Sequence, residues 1–312
     1  MIKKEYDIVI IGSGPAGLTA SIYAVRSNHS TLVIGGSTPG GQLMITTDVD
    51  DFPGFPGGIQ GPDLMAKMRQ QCELLGVDFL DENVTKTEFK KKPFKLFLDK
   101  KEITAKTVIV ATGASAKWMG TESEKKLTGH GVSACATCDG FFFKNKDVAV
   151  IGGGDTALRE ALYLAKICKT VSVIHRRNEL KAQAALQDKA KNTKNINFIW
   201  NSIVEEFLGK DQLEALKLKN ILNNKNTELK CSGAFVAIGH KPNTDFLKGQ
   251  INLDDHGYIV VNDQVKTSVT GIFAAGDVHD YRYMQAVTAA GAGCMAAMEA
   301  GEYLENLEHK KG

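Results

Sequence analysis

Two segments of the chain share one pattern, in which an apolar run of strand length is followed by a glycine-rich turn and then by apolar residues at helical spacing. The first segment covers residues 6–25 and the second covers residues 147–165. Each segment predicts a β-strand, a tight turn and an α-helix in that order. Because strands that alternate with helices form parallel sheets, the sequence predicts an α/β protein.

The first turn has the spacing G-x-G-x-x-G. Its residues are Gly12, Ser13, Gly14, Pro15, Ala16 and Gly17. Glycines let the chain bend sharply and bring backbone N–H groups close to a pyrophosphate, which lies at the positive end of the helix. The spacing also occurs in ordinary glycine-rich turns, but here a strand precedes it and a helix follows it. We therefore predict a dinucleotide site.

The second turn repeats the pattern with alanine in place of the last glycine. Its residues are Gly152, Gly153, Gly154, Asp155, Thr156 and Ala157. The next apolar run, residues 170–174, ends at His175, Arg176 and Arg177, where the ribose of an adenosine lies in this fold. Guanidinium groups suit a 2′-phosphate, so the second site is predicted to bind NADPH. A solvated basic loop is the alternative interpretation of these arginines.

The first site lacks such a basic or acidic residue after its second strand, so its ligand needs another anchor. Near the C-terminus, an apolar run ends at Gly276 and Asp277, and a helix rich in alanine and glycine is predicted from about residue 284 to 307. FAD fits this arrangement better than a second nicotinamide. We predict two Rossmann-like domains with three-layer, parallel-sheet cores, the second inserted into the first. Residues 1–115 and 245–312 are predicted to bind FAD, and residues 116–244 to bind NADPH.

Cys135 and Cys138 form a C-x-x-C motif in the inserted domain, with Asp139 directly after it. Such a motif can be half of a zinc site, a redox dithiol, a fragment of an iron–sulfur site or a coincidence. A zinc site needs a second ligand pair that the sequence lacks, so no metal is predicted. A redox pair agrees with two nucleotide sites in the same chain, and a carboxyl beside it can deliver a proton. Alternatively, Asp139 with Gly140 is simply a turn.

The composition of the chain mainly excludes classes of protein and partner. The 312 residues suffice for about two domains, and 43% hydrophobic with 24% charged residues is typical of a folded soluble protein. A net charge of +2 gives no general attraction for nucleic acid. No apolar run is long enough for a signal peptide or a membrane span, so we expect a cytoplasmic protein without a membrane partner. Four further cysteines are predicted to be buried packing residues: Cys72, Cys168, Cys231 and Cys294.

In this order, the motifs resemble those of bacterial-type, low-molecular-weight thioredoxin reductases, which are flavin-dependent disulfide reductases. The segments that carry the resemblance are residues 12–17, 40–43, 135–140, 152–157, 175–177, 276–278 and 285–286. The resemblance implies a homodimer that passes a hydride from NADPH to FAD, reduces the Cys135–Cys138 disulfide and then reduces thioredoxin. It also implies that Cys138 faces the flavin and Cys135 attacks the partner. A reductase of another small disulfide or peroxiredoxin-type protein, or a redox sensor without turnover, remains the alternative.

Further cofactor contacts are implied by the resemblance alone. For FAD they are Gly40, Gly41, Gln42, Thr47, Asp51, Val84, Ala111, Thr112, Gly113, Gln285 and Ala286, and for the NADPH phosphate Lys181. This chain departs from the family pattern at four positions, which carry Asp51, Arg159, Lys181 and Met284. The resemblance also implies that the domains rotate about the two crossings, near residues 113–118 and 239–245, between a flavin-reducing and a flavin-oxidising arrangement.

Overall fold

The computed structural model describes residues 2–46 and 48–309. They divide into two compact units, with one break after Ser115 and the other after His240. Each unit contains a largely parallel sheet with helices packed on it, so the predicted α/β class is confirmed. No helix in the described part of the chain is long and apolar enough to cross a membrane.

The first unit is built from both ends of the chain. Strands and helices are numbered in chain order. The strands of the first unit are β1 (Glu5–Ile11), β2 (Thr31–Ile34), β3 (Asp48–Val49), β4 (Ile59–Gln60), β5 (Asp78–Leu80), β6 (Lys86–Glu88), β7 (Phe94–Phe97), β8 (Glu102–Val110) and β19 (Ile272–Ala274). Its helices are α1 (Pro15–Arg26), α2 (Gly61–Leu74) and α7 (Ala286–His309).

The main sheet of the first unit has the order β5-β2-β1-β8-β7-β6, and β19 also pairs with β8. All its pairings are parallel except those of β6 with β7 and of β7 with β8. Ile11 lies opposite Ile34 of β2 and Val110 of β8, so three strands end together beside Gly12. The carboxyl edge of a parallel sheet is where such folds bind ligands. This register therefore positions the first glycine turn for a ligand.

The second unit contains the inserted segment. Its strands are β10 (Val132–Ser133), β11 (Asp147–Ile151), β12 (Thr170–Ile174), β13 (Ile196–Ile199), β14 (Ser202–Leu208), β15 (Ala215–Asn220), β16 (Asn226–Lys230) and β17 (Gly233–Val236). Its helices are α3 (Glu122–Leu127), α4 (Ala136–Asp139), α5 (Asp155–Leu164) and α6 (Ala184–Lys191).

A parallel sheet with the order β10-β17-β11-β12-β13 forms the centre of the second unit, and β14, β15 and β16 form a separate antiparallel sheet. Ile151 lies opposite Ile174 and Val236, which repeats the alignment seen in the first unit. One apolar cluster packs α5 against this sheet, with Leu158 and Leu164 fully buried. The duplicated sequence pattern therefore produces duplicated strand ends, each followed by a glycine turn.

The last helix starts later in the chain than the sequence predicts. It begins at Ala286 rather than at residue 284, and Met284 has a φ of 51°, in the left-handed region that ends regular helix. Cys72, Cys168 and Cys231 are buried as predicted. Cys294 is only half-buried, because its position on α7 leaves the sulfur at the surface beside Met298, so that prediction was wrong.

Where the chain passes between the units, short strands β9 (Ala114–Ala116) and β18 (His240–Pro242) pair with each other. Within the second unit, the Lys117 N–H donates to the Gly239 carbonyl at 2.9 Å. Within the first unit, the Asn243 N–H donates to the Gly113 carbonyl at 3.0 Å. Backbone hydrogen bonds therefore tie the two crossings together on each side of the breaks.

Candidate functional site

Cys135 and Cys138 are joined by a disulfide bond at the start of the short helix α4. Both residues are half-buried, and the Cys138 backbone N–H donates to the Cys135 sulfur at 3.3 Å. The Cys135 N–H donates to the Ser133 hydroxyl at 3.0 Å, which fixes the entry to the turn. Within the described residues no group of three or more His, Cys, Asp or Glu side chains could hold a metal ion. The geometry is that of a dithiol and disulfide pair that is partly accessible to solvent.

Asp139 ends α4 next to Cys138 and is half-buried. Two large aromatic residues follow it in a short 3-10 helix, where Phe141 is 63% exposed and Phe142 is 40% exposed. Exposed aromatic side chains of this size are typical of surfaces that contact other proteins. An apolar surface therefore lies directly beside the redox pair in the chain.

The first glycine turn requires glycine at two of its three fingerprint positions for packing. Gly12 has a φ of +113°, and a Cβ there would lie 2.2 Å from the Ala111 carbonyl oxygen. A Cβ on Gly17 would lie 1.9 Å from the Gly12 carbonyl oxygen. At Gly14, in contrast, a Cβ would meet no atom within 4 Å. The outer two glycines thus let strand and helix approach closely, and the middle one leaves its space to a ligand.

The structure brings the segment at residues 40–42 to this turn. The Ser13 hydroxyl donates to the Gly35 carbonyl at 3.2 Å and accepts the Gly40 N–H at 2.9 Å. A Cβ on Gly41 would lie 3.6 Å from the Gly14 Cα. Gln42 follows them and, like Gly41, is exposed. The predicted residues 40 and 41 therefore adjoin the first turn.

The C-terminal segment also adjoins the first turn. A Cβ on Gly276 would lie 3.0 Å from the Ala16 Cβ, and one on Gly293 of α7 would lie 2.1 Å from the Ala16 carbonyl oxygen. Asp277 is half-buried, and desolvation, with a smaller effect of Asp280, raises its pKa to about 7. A partly desolvated carboxyl is stabilised by a hydrogen-bond donor, and a ribityl or ribose hydroxyl is one.

Hydrogen bonds and helix position locate four of the remaining residues that are predicted to contact FAD. Ala111 donates its N–H to the Ile11 carbonyl at 2.8 Å and so lies beside the turn, and the Thr112 hydroxyl donates to the Asn243 carbonyl at 2.8 Å. Gln285 donates through Nε2 to the carbonyls of the two residues before it, and Ala286 begins α7.

Three of these contacts gain no support. Asp51 is exposed, Val84 packs against a hydrophobic cluster of the first unit, and Thr47 lies outside the described residues. The contact of each of these residues with FAD stays a prediction.

The second glycine turn is covered by a histidine. Gly152 has a φ of +149°, and a Cβ there would lie 2.4 Å from the Ala237 carbonyl oxygen. A Cβ on Gly153 would lie 2.3 Å from His175 Nδ1, whereas one on Gly154 would meet nothing within 4 Å. Burial lowers the pKa of His175, and nearby basic residues add to that effect. His175 is therefore a packing residue of this turn, although it follows the next strand, β12, in the sequence.

Basic residues surround the same turn. The Lys181 N–H donates to the Gly153 carbonyl at 2.8 Å, and Asp155 Oδ1 accepts the Gln183 N–H at 2.8 Å. Arg176 and Arg177 follow the buried His175 and are both exposed, as is Lys181. Thr156 is the second residue of α5 and is half-buried. Three cationic side chains are thus free to reach an anionic group near the open space beside Gly154.

One residue of the site was not predicted as part of it. Glu160 lies on α5, three residues after Ala157 and four before Leu164, both of which are fully buried. Its Oε2 atom is inaccessible and has no hydrogen-bond partner among the described residues. Burial raises its pKa to about 8, and the backbone N–H of Ala136 opposes the shift. An acidic residue on the apolar face of a helix is the sequence signal that could have identified it.

Comparison with known proteins adds independent information. A family model described as pyridine nucleotide-disulphide oxidoreductase matches residues 6–293. The thioredoxin reductase of Rickettsia conorii is 48% identical over 308 residues, which cover 97% of this chain and 99% of that protein. The solved structure of thioredoxin reductase from Giardia duodenalis matches with a TM-score of 0.94 at 40% identity, covering 97% of this chain and 100% of that one. That from Streptococcus pyogenes matches with a TM-score of 0.93 at 40% identity, covering 98% and 100%.

Proposed function

We propose that this chain, which belongs to the pyridine nucleotide-disulphide oxidoreductase family, reduces thioredoxin with NADPH. It matches thioredoxin reductases over nearly their whole length. Enzymes of this family use FAD and NADPH. When bound, NADPH supplies a hydride and FAD relays its electron pair toward a disulfide. The observation that carries the proposal is the half-buried Cys135–Cys138 disulfide in a chain with two glycine turns.

The residues at the first turn fit FAD. The open space beside Gly14 can admit a pyrophosphate, and the backbone N–H groups at the start of α1 face it. The half-buried Asp277, whose pKa is raised to about 7 mainly by desolvation, suits a ligand hydroxyl as its hydrogen-bond donor. We assign FAD to this unit on these two features together with the close approach of α7 to the turn.

The residues at the second turn fit NADPH. The space beside Gly154 is open, and α5 begins directly after it with ten residues of helix. Arg176, Arg177 and Lys181 carry positive charge and are exposed near that turn. A phosphate dianion on the adenosine ribose gains charge-assisted hydrogen bonds from such groups, whereas a ribose hydroxyl gains much less.

The cysteine pair carries the electrons out to the partner. After two electrons and two protons have reduced the Cys135–Cys138 disulfide, the Cys135 thiolate attacks a sulfur of the partner disulfide and forms a mixed disulfide. The Cys138 thiolate then attacks Cys135, re-forms the internal disulfide and releases the partner as a dithiol. Asp139, adjacent to Cys138 at the end of α4, is proposed to exchange the proton that this thiol gains and loses.

The exposed aromatic pair after the disulfide supports a protein partner. Phe141 and Phe142 present apolar area within a few residues of Cys138. A small-molecule disulfide would not need such area, whereas a protein docked on the redox pair would bury it. Replacing both phenylalanines with alanine is expected to raise the KM for thioredoxin, with little effect on NADPH-dependent reduction of a small aromatic disulfide.

The function is tested by turnover with purified protein. NADPH oxidation and the appearance of thioredoxin thiols should both depend on thioredoxin and on Cys135. A panel of glutaredoxin-type and peroxiredoxin-type disulfide proteins, assayed in parallel, separates the alternative substrates. If NADPH is consumed no faster with any of these proteins than without them, the chain is a redox sensor or another flavoprotein and the proposal fails.

A homodimer is proposed from one apolar surface of the first unit. Tyr23, Leu74 and Met298 lie on α1, α2 and α7 and are 44%, 82% and 64% exposed, and α1 packs against both other helices. Burying such side chains against a second copy would remove them from water. Sedimentation should give a dimer, and Leu74→Asp with Met298→Asp should give a monomer. Leu222→Asp, at a 73% exposed leucine of the second unit, is the matched control and should leave the dimer intact.

We propose the cytoplasm as the compartment. Four of the six cysteines are free thiols, which agrees with a reducing environment. Cell fractionation with an antibody to the chain tests this directly, and recovery in an oxidising compartment would contradict it.

A further inference from the structure

Glu160 is a buried carboxyl that the reaction described above does not use. The residue as a whole is half-buried, but its Oε2 atom is inaccessible to solvent and has no partner among the described residues. It lies on α5 between Ala157 and Leu164, which belong to the apolar cluster of the second unit. Burying a charged carboxylate in such surroundings is costly, so this carboxyl favours its neutral, protonated form.

The group that meets this carboxyl belongs to the disulfide turn, residues 135–138. The backbone N–H of Ala136, the residue between Cys135 and Thr137, interacts with the Glu160 side chain. Ala136 itself is fully buried and belongs to the same apolar cluster as the buried face of α5. The carboxyl and the turn that carries the redox pair therefore share one buried region.

Nearby charged groups do not offset the effect of burial on the pKa of the Glu160 carboxyl. The two influences on its pKa are burial, which is the larger and raises it to about 8, and the Ala136 N–H, which lowers it. Arg159, its neighbour on α5, is exposed. From α4, the ionisable groups are the two cysteines, once reduced, and Asp139. Of the other elements packed against α5, α6 carries Asp188, Lys189 and Lys191 and β11 carries Asp147, and none of these contributes to the pKa shift of Glu160. Negative charge on the reduced pair would therefore meet no compensating cation from α4 or α5.

We propose that Glu160 is a positioning residue of the disulfide centre. As a neutral acid, Glu160 accepts a hydrogen bond from the Ala136 N–H and adds no negative charge to the region when the reduced cysteine pair forms a thiolate. One carboxyl oxygen accepts the N–H while the proton stays on the other. The proposal rests on the proposed function only in assigning the pair a redox cycle. It predicts that ionisation of Glu160 opposes ionisation of the reduced cysteines, because two negative charges in one poorly solvated region repel each other.

The test requires neither NADPH nor thioredoxin, so its failure is separate from failure of the proposed function. The holoprotein, with Cys294→Ser in every version to remove the half-buried free thiol, is reduced with dithiothreitol and desalted without oxygen. Its reaction with the neutral disulfide dithiodipyridine is then followed at about pH 7 and pH 9. The two protein thiols give up two electrons and two protons, the protein disulfide forms, and the probe becomes two thiopyridines.

Glu160→Gln keeps a neutral acceptor for the Ala136 N–H but cannot ionise. At pH 7 it should react within about twofold of the unchanged protein, and Glu160→Ala should react several-fold more slowly because the turn loses its acceptor. Between pH 7 and pH 9, the ratio of the Gln variant's rate to that of the unchanged protein should rise at least about threefold, because only the unchanged protein then places a carboxylate beside the thiolate.

A matched control is Glu205→Gln, which removes a half-buried carboxylate of the second unit that pairs with Lys217 and Lys219 on the separate sheet. Its rate ratio should not change with pH. A purely structural role for Glu160 would slow the Ala variant but leave the Gln ratio flat, and that result overturns the proposal. An Ala variant that reacts like the unchanged protein at both pH values overturns it as well.

Discussion

Replacing Glu160 with glutamine should remove a specific pH dependence from the stability of the second unit. The native carboxyl has its pKa raised by burial to about 8, against an ordinary value of 4.5. Between those values the native state holds a proton that the unfolded state has released, so stability falls as pH rises and levels off above about pH 8. One such proton changes the free energy of unfolding by about 1.4 kcal/mol per pH unit. Between pH 5.5 and pH 7.5 the full effect is roughly 2.7 kcal/mol, and because Glu160 is half-buried as a residue we expect about 2 kcal/mol.

Tryptophan fluorescence can report this quantity selectively, because the chain's two tryptophans, Trp118 and Trp200, both lie in the same unit as Glu160. Urea unfolding at the two pH values, with saturating FAD, gives the free energy of unfolding for both proteins. The difference between Glu160→Gln and the unchanged protein should grow by about 2 kcal/mol from the lower to the higher pH.

Other titrating groups cancel in this comparison. Asp277, whose pKa is raised to about 7, lies in the first unit and is present in both proteins. Glu205→Gln again serves as the control and should show no such growth. A difference between Glu160→Gln and the unchanged protein that stays constant within about 0.5 kcal/mol would refute the assignment of Glu160 as a neutral buried acid.

Three further predictions concern the glycine turns and the basic residues. Arg176→Ala with Arg177→Ala should lower the NADPH:NADH ratio of kcat/KM by at least about tenfold. Each charge-assisted hydrogen bond is worth about 1.5–3 kcal/mol before solvent and salt screen these exposed groups. An unchanged ratio would show that the 2′-phosphate lies elsewhere. Gly153→Ala places a Cβ 2.3 Å from His175 Nδ1, so urea unfolding should show a loss of about 1–3 kcal/mol, and equal stability would contradict that packing. Gly17→Ala places a Cβ 1.9 Å from a backbone oxygen and should yield protein that retains little FAD by absorbance, whereas stoichiometric FAD would place the flavin away from this turn.

The sequence was most informative where chemistry depends on local backbone. The outer glycines Gly12 and Gly17 were predicted from spacing, and the structure supplies the reason, since a Cβ at either position would overlap a backbone carbonyl. The predicted α/β fold, the family and its use of FAD and NADPH are confirmed by relatives that cover nearly the whole chain. The roles of individual site residues stay predictions.

The sequence was least informative where a property depends on contacts between distant segments. Glu160 is adjacent to an exposed arginine in the sequence, and only the packing of α5 against α4 shows that its carboxyl is buried next to Ala136. The sequence predicts a last helix from about residue 284, but the positive φ of Met284 delays its start to Ala286. Cys294 has small neighbours that suggest burial, whereas its position on α7 leaves it at the surface.

The central claim is that reducing equivalents from NADPH reach the Cys135–Cys138 disulfide. The described disulfide leaves four free thiols among six cysteines, so thiol titration after denaturation should count four per chain in the oxidised protein. After anaerobic reaction of the FAD-loaded protein with excess NADPH and removal of the nucleotide, the count should be six. In Cys135→Ser, which has no such disulfide, NADPH should leave the count unchanged. A count that stays at four in the unchanged protein, although its flavin is bleached by NADPH, would contradict the claim.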